Sequence, residues 1–185
     1  MINSINYPFL PPNRTFTFVA LNDPWMRAAK DQADQNSACA FWPTGAVMVK
    51  DDKIIGAGAN SGDLHFHCGR MEHHCPTGTG YEHCQALRNS LCHAEAACVN
   101  NALTNNHETT DADIYLFGHW WCCQSCWDIM IKAGVRNVYL PENAYLFFTR
   151  DKRLEVLEAL KRNAEPTRED IQWEEGQGAK VKGQK

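Results

Sequence analysis

Four residues in two short stretches have side chains that suit metal-assisted chemistry: His93 and Glu95 in the first stretch, and Cys123 and Cys126 in the second. Imidazole nitrogen and thiolate sulfur are ligands that zinc prefers, and three protein ligands leave a fourth tetrahedral position for water. Zinc lowers the pKa of that water to about 7, so hydroxide becomes available at neutral pH. Glu95 is poorly placed as a further ligand and well placed to carry the water's proton. We therefore predict a catalytic zinc site with Glu95 as its acid and base.

Each stretch has a simpler interpretation when it is taken alone. His-Ala-Glu is common on helices, and a Cys-x-x-C pattern also occurs in structural zinc knuckles and in redox pairs. The two stretches occur here in one order, separated by a strand-like run, and that context favours a single catalytic site.

The combination of H-x-E with a downstream P-C-x-x-C is the signature of zinc-dependent nucleobase deaminases. This sequence resembles that superfamily, with one departure: Cys122 stands where the family usually has proline. The substitution leaves both cysteine ligands in place, but it removes a rigid turn residue and adds a thiol that could compete for the metal. The resemblance implies a cytidine-deaminase-like fold.

Length and composition indicate one globular domain. A chain of 185 residues can bury a sizeable core, and it contains no apolar run long enough for a bilayer. The N-terminus lacks the basic start and apolar segment of a secretory signal, so we expect a cytoplasmic protein. The net charge of −4 argues against nucleic acid as a partner. The chain has nine cysteines and eight histidines, many of them close together in the sequence. In a reducing compartment this pattern indicates metal binding rather than disulfides.

Periodicity and turn residues predict alternating helices and strands behind the two motifs. Asp23 and Pro24 mark a helix start, because a capping side chain is followed by proline in the first turn. The predicted helices cover residues 24 to about 39, 94–103, 123–133 and 153–161, and the predicted strands cover 45–50, 53–58, 112–117 and 136–140. This order predicts an α/β fold, a three-layer α/β/α sandwich with a mixed central sheet. We divide the chain into an N-terminal arm (1–21), one domain (22–164) and a polar C-terminal tail (165–185), and we expect the last ten or so residues of the tail to be mobile.

Residues 61–92 form a long insert without clear periodicity but with many cysteines and histidines. A loop of this length needs its own source of order, and a structural zinc would provide it. The resemblance to deoxycytidylate deaminases, some of which carry a second zinc here, implies Cys39 and Cys68 as ligands. We add Cys75 and Cys84, with His83 as an alternative; buried free thiols are the other interpretation.

Features outside the motifs indicate a branch of the superfamily. Residues 39–46, the following hairpin and Asn60 resemble the opening of deoxycytidylate deaminases, although Ala59 and Ser61 replace the usual tyrosine and glycine of the turn. The resemblance implies a homo-oligomer that converts dCMP and water to dUMP and ammonia. It also implies that Asn60 hydrogen-bonds the substrate sugar or base, whereas an ordinary turn asparagine is the alternative.

Further substrate contacts follow from the same resemblance. The backbone N–H of Ala94 would bind the base carbonyl, and Trp120 or Trp121 would stack on the ring. Arg70 and the histidines of the insert are candidates for binding phosphate.

Other functions stay open as alternatives. Free cytidine deaminases generally have cysteine at the position of His93, riboflavin-pathway deaminases are usually fused to a reductase, and transfer-RNA adenosine deaminases lack a Cys/His-rich insert. Deamination of transfer-RNA adenosine or of a free base is one alternative. A non-catalytic, zinc-stabilised binding module is another, and it would have no use for Glu95.

Overall fold

The computed structural model describes residues 5–84, 87, 90–162, 171–174 and 178–181. Five strands form one sheet in the order β1-β5-β4-β2-β3. These are β1 (Phe16–Val19), β2 (Gly45–Lys50), β3 (Lys53–Ala59), β4 (Asp113–Phe117) and β5 (Asn137–Pro141). β5 runs parallel to both β1 and β4, whereas β2 is antiparallel to β3 and β4. The sheet is mixed, as the sequence predicts.

Six helices accompany the sheet in the described part of the chain. They are α1 (Pro24–Asn36), α2 (Gly69–Glu72), α3 (Ala94–Thr104), α4 (Gln124–Lys132), α5 (Ala144–Phe147) and α6 (Arg150–Leu160). Two single 3₁₀ turns lie at Tyr81–His83 and Ser90–Cys92. None of these helices is both long and apolar enough to cross a membrane.

Two glycines show that α1 and α3 cover opposite faces of the sheet. A side-chain carbon on Gly45 of β2 would lie 2.3 Å from the backbone nitrogen of Ala33 in α1. A side-chain carbon on Gly58 of β3 would lie 2.3 Å from the backbone nitrogen of Cys98 in α3. Gly58 pairs with Ala46, the residue after Gly45, and successive residues of a strand face opposite sides. The sheet is therefore sandwiched between helices, which confirms the predicted fold class.

The first helix begins as predicted and ends earlier than predicted. The Asp23 carboxylate accepts hydrogen bonds from the backbone N–H groups of Trp25 and Met26 at 2.9 and 3.0 Å, so it caps α1. The helix ends at Asn36 rather than near residue 39, because Ser37 is extended and its hydroxyl donates to the Cys39 carbonyl. Such local serine bonds compete with helical ones.

Both predicted terminal segments contain strands. In the N-terminal arm, β1 pairs with β5, a partner more than a hundred residues away along the chain. In the C-terminal tail, β6 (Ile171–Glu174) and β7 (Gly178–Val181) form a hairpin, and Val181 is buried. Part of the tail is therefore structured, contrary to the prediction of a mobile end. The remaining residues of the predicted tail lie outside the described ranges.

Backbone pairing orders the start of the insert. Cys39 and His65 form an isolated parallel bridge, in which the His65 N–H donates to the Ala38 carbonyl and the Ala40 N–H donates to the His65 carbonyl at 2.9 and 3.0 Å. The insert also carries α2 and the two 3₁₀ turns. Hydrogen bonds to the segment after α1 thus order the start of the insert.

Candidate active site and metal centre

The structure brings His93, Cys123 and Cys126 together. Their potential ligand atoms lie within 4.8 Å of one another, and no other such group of three His, Cys, Asp or Glu residues occurs in the described part of the chain. His93 Nδ1 is 3.4 Å from the sulfur of Cys123 and 3.3 Å from that of Cys126. One imidazole nitrogen and two sulfurs that converge on one point fit zinc, with room for one more ligand.

Two helix N-termini hold these ligands. His93 is the N-terminal cap residue of α3 and Cys123 is that of α4. Cys126 follows Cys123 by three residues, the spacing that brings side chains to the same side of a helix. The partial positive charge at a helix N-terminus favours anions. The local fold therefore stabilises ionised sulfur where the metal ligands meet.

The pKa values of the two thiols diverge. A hydrogen bond with Cys126, helped by His93 and Ser125, lowers the pKa of Cys123 to about 3 despite its burial. The same Cys123–Cys126 bond, together with burial, raises the pKa of Cys126 well above its usual value. Burial lowers the pKa of His93, but its bond with Cys123 and the nearby Glu95 outweigh that effect and raise it. The arrangement therefore favours a thiolate at Cys123, the form in which cysteine binds a metal.

Glu95 is a buried carboxyl group beside the ligands. It lies in the first turn of α3 and only 5% of it is exposed. Burial raises its pKa, and the charge of His93 acts in the opposite direction. A raised pKa makes this carboxylate a stronger proton acceptor than an ordinary exposed glutamate, which suits a group that transfers protons.

The backbone N–H of Ala94 is already used in the structure. It donates a 3.2 Å hydrogen bond to the side-chain Oδ1 of Asn60, which is buried at the end of β3. This differs from the predicted contact between that N–H and a base carbonyl. With its oxygen engaged, Asn60 keeps its amide NH₂ group as a donor.

An inner pocket of about 570 Å³, including the space at its mouth, contains the predicted catalytic group. Its lining includes Asn60, His93, Glu95, Trp121 and Cys123. An outer pocket of about 460 Å³ adjoins it, and its lining includes Gly78, Trp120, Trp121, Phe148 and Arg150. Trp121 lines both pockets. Trp120 lines the outer one alone, and its ring stacks against Tyr7 of the N-terminal arm.

No three of the four cysteines of the predicted second zinc site bring their sulfurs within 4.8 Å of one another, although Cys68 and Cys84 lie near enough to raise the pKa of Cys39 further after burial. Cys39, Cys68 and Cys84 are buried and line the inner pocket, whereas Cys75 is partly exposed and lines the outer one. Burial raises the pKa of Cys39 and of Cys68, which favours neutral thiols. All nine cysteines are free. The structure thus places Cys39, Cys68 and Cys84 as buried thiols in the pocket walls and Cys75 as a partly exposed one.

Cys122, the residue in place of the usual proline, is buried. Burial, followed by the negative charge of Glu95, raises its pKa well above the usual range. A neutral thiol is a poor zinc ligand, and Cys122 stands outside the cluster of three ligands.

Several residues that line the pockets could not be identified from the sequence. Tyr81, from the insert, tilts over the ring of His93 with 5.1 Å between ring centres. Arg153, from α6, and His119, after β4, line both pockets. Arg70, which the sequence analysis proposed for phosphate binding, also lines both. No local pattern identifies Arg153 or Tyr81, because each reaches the site through tertiary packing.

Three solved structures illustrate what the chain is similar to. The apo dCMP deaminase of cyanophage S-TIM5 is 19% identical, with 71% of this chain and 88% of that chain covered and a TM-score of 0.44. A deaminase/reductase of Thermotoga maritima, which acts on a diaminohydroxyphosphoribosylaminopyrimidine, is 18% identical, with 75% and 33% covered and a TM-score of 0.41. Guanine deaminase of Bacillus subtilis is 18% identical, with 68% and 83% covered and a TM-score of 0.34. No curated protein matches the sequence.

A family model described as the cytidine and deoxycytidylate deaminase zinc-binding region matches residues 21–142. The match includes all three metal ligands and Glu95, so it confirms the predicted zinc cofactor. Because the match covers more than half of the chain and the ligands converge as zinc requires, this chain belongs to the cytidine and deoxycytidylate deaminase zinc-binding family.

Proposed function

We propose that this protein deaminates a cytosine nucleotide, with dCMP and water as substrates and dUMP and ammonia as products. The observation that carries the proposal is the position of Glu95, which is buried and lines the inner pocket together with the ligands His93 and Cys123. Burial of a carboxyl group is costly. A module that merely used zinc for stability would have no need to bear that cost at this position.

Zinc held by His93, Cys123 and Cys126 supplies Lewis acidity that lowers the pKa of a water molecule. Glu95 accepts the proton of the attacking water and delivers it to the ring nitrogen beside the amino-bearing carbon. It then takes the proton of the hydroxyl group that has been added to the ring and passes it to the amino group; the carbonyl forms as the carbon–nitrogen bond breaks and ammonia leaves. The raised pKa of Glu95 supports its role as the proton acceptor, because burial makes the carboxylate more basic than an exposed one.

The remaining walls of the inner pocket suit an aromatic base. Trp121 is 4% exposed and packs beside Gly78 of the insert, so its ring has a fixed position for stacking. The free amide NH₂ group of Asn60 is the donor that we assign to the sugar or base of the substrate. These two contacts orient the ring without adding charge beside Glu95.

A panel of amino-bearing compounds tests the proposal. Ammonia release should be measured for the zinc-loaded protein with cytosine, deoxycytidine, dCMP, CMP, dCTP, adenine, adenosine and guanine. We expect dCMP to give the highest kcat/KM. Turnover of guanine or adenosine alone would assign the site to another deamination reaction, and no turnover of any compound would favour a binding module.

A further inference from the structure

Two arginines lie at the boundary between the inner and outer pockets. Arg70 comes from α2 in the insert. Arg153 comes from α6, which lies beyond the segment that the family model matches. Each of these arginines lines the inner pocket and the outer pocket. Arg150, one turn before Arg153, lines the outer pocket. Positive charge from two distant parts of the chain thus converges on the passage that leads to Glu95.

These positive charges lack acidic partners in the described part of the chain. None of the ion pairs there involves Arg70, Arg150 or Arg153. Among the residues that the structure describes, no aspartate or glutamate lines the outer pocket, and Glu95 is the one acidic residue that lines the inner pocket. The whole chain carries a net charge of −4, so this local excess of positive charge runs against the composition.

Aromatic rings hold both guanidinium groups in place. The Arg153 Cζ atom lies 4.9 Å from the ring centre of Trp42, and the Arg70 Cζ atom lies 4.1 Å from that of Tyr81. Arg70 also donates from Nε to the Thr79 carbonyl at 2.7 Å. A guanidinium stacked on its face keeps its edge N–H groups free for an oxyanion.

The position of Arg150 and Arg153 on α6 opposes the helix dipole. Arg150 is the first residue of this eleven-residue helix and Arg153 the fourth; cations are disfavoured at a helix N-terminus. Asp151 in the same turn is exposed. Burial, followed by the like charge of Arg70, lowers the pKa of Arg153 to about 10. Both effects make a bound anion favourable here.

We propose that Arg70 and Arg153 bind the phosphate monoester of the substrate, one sugar away from the base whose amino group is removed. This proposal rests on the proposed function and deepens it, because it makes a sugar phosphate a requirement. The spacing supports it: Arg70 stacks on Tyr81, and Tyr81 contacts the ring of His93. One aromatic ring therefore separates the arginine from the metal ligand, much as one sugar separates phosphate from base in a nucleotide.

The test compares dCMP with deoxycytidine, which differ by the phosphate alone. Charge-assisted hydrogen bonds to phosphate are the strong class, and loss of one corresponds to roughly a 10- to 100-fold effect on binding. We expect Arg153→Ala and Arg70→Ala each to lower kcat/KM for dCMP by about that factor. The value for deoxycytidine should change by less than about threefold, and Arg153→Lys should restore part of the preference for dCMP.

Lys152→Ala is the matched control. Lys152 lies on the same helix, pairs with Glu155 and lines neither pocket, so its removal should leave both substrates unaffected. Zinc content and the thermal unfolding midpoint of each variant should be measured, so that a loss through misfolding is recognised. Arg153→Lys keeps the positive charge but loses the planar guanidinium that stacks on Trp42. If Arg153→Ala does not fold, a lower kcat/KM of Arg153→Lys for dCMP, with the value for deoxycytidine unchanged, serves as the test.

Binding without turnover provides the second measurement. Calorimetric titration of the parent and the Arg153 variant with dUMP, deoxyuridine, ribose 5-phosphate and inorganic phosphate separates the sources of the anion. Arg153-dependent binding of dUMP and ribose 5-phosphate supports the proposal, even if no cytosine compound is turned over and the proposed function fails. Arg153-dependent binding of inorganic phosphate, with none of either ester, would overturn it.

Kinetic outcomes separate the two proposals in the other direction. A parent enzyme that deaminates deoxycytidine as well as dCMP would overturn the phosphate site while the proposed chemistry stands. Equal losses for both substrates in well-folded Arg153 variants would overturn it as well.

Discussion

The side-chain oxygen of Asn60 accepts a 3.2 Å hydrogen bond from the backbone N–H of Ala94. This bond joins the end of β3 to the first residue of α3, between the ligand His93 and the carboxyl group of Glu95. Asn60 is also fixed through its own backbone, which donates to the Thr44 carbonyl at 3.1 Å and accepts from Ala38 at 2.7 Å. The position of both functional side chains on α3 therefore depends on a turn residue distant in sequence.

Substitution of Asn60 separates its two roles. Asn60→Asp keeps an oxygen that accepts from the Ala94 N–H but removes the amide donor, whereas Asn60→Ala removes both. We expect both variants to lose deaminase activity, and Asn60→Ala alone to lose stability as well, by roughly 1–3 kcal/mol from the unpaired buried N–H. Kinetics and urea unfolding provide the two readouts. An active Asn60→Asp enzyme would show that Asn60 holds the helix and does not contact the substrate.

Zinc retention tests the ligand assignment. We expect Cys123→Ala to lose about one equivalent of zinc per chain together with all activity, since zinc needs its thiolate ligands. Cys122→Ala, at the adjacent buried position, should keep its zinc. Elemental analysis of both purified variants measures this. Equal zinc in parent and Cys123→Ala, or loss of zinc from Cys122→Ala, would contradict the assignment.

The cysteines of the insert give a separate expectation. No three sulfurs of the predicted second site (Cys39, Cys68, Cys75 and Cys84) lie within 4.8 Å of one another. We therefore expect one zinc per chain and unchanged zinc content in Cys75→Ala. Titration with a thiol reagent on the native protein should modify the partly exposed Cys75 before the buried three. A measured content of two zinc ions per chain, reduced to one by Cys75→Ala, would restore the site that the sequence analysis predicted.

Close contact between β3 and α3 predicts a stability effect at Gly58. A methyl group there would lie 2.3 Å from the backbone nitrogen of Cys98 and 2.7 Å from the Ala97 carbonyl carbon, and backbone atoms cannot move aside cheaply. We expect Gly58→Ala to destabilise the protein by about 3 kcal/mol. Ser61→Ala, at an exposed position just beyond β3, is the control and should change little. Similar unfolding midpoints for the two variants would mean that the helix sits farther from the sheet.

The metal ligands could be predicted from their local spacing in the sequence. The other residues that line the pockets could not, because tertiary packing brings them there. His93, Glu95, Cys123 and Cys126 occupy short motifs whose positions at helix starts follow from adjacent residues. The same holds for α1, because Asp23 and Pro24 are adjacent residues that predict its start. Arg153 lines the pockets because of the way α6 packs in the folded chain. The residues next to Arg153 in the sequence do not predict that contact.

Two other differences have the same non-local origin. The strand β1 carries an alternating aromatic pattern, but its partner β5 is far along the chain. The cysteines of the insert suggested a metal because their density is high, whereas backbone hydrogen bonds to residues 38–40 order its start. The number of potential ligands in a segment does not show whether their side chains lie close together in the folded protein.

The most direct test of the account is the rate of dCMP deamination by Glu95→Gln, compared with the parent at matched zinc content. The amide keeps the size of the carboxyl group but cannot accept a proton. We expect kcat to fall by roughly 10²- to 10⁴-fold or more, with zinc, fold and substrate binding retained, because the loss falls on the transition state. A rate within about tenfold of the parent would remove Glu95 from the mechanism and contradict the central claim.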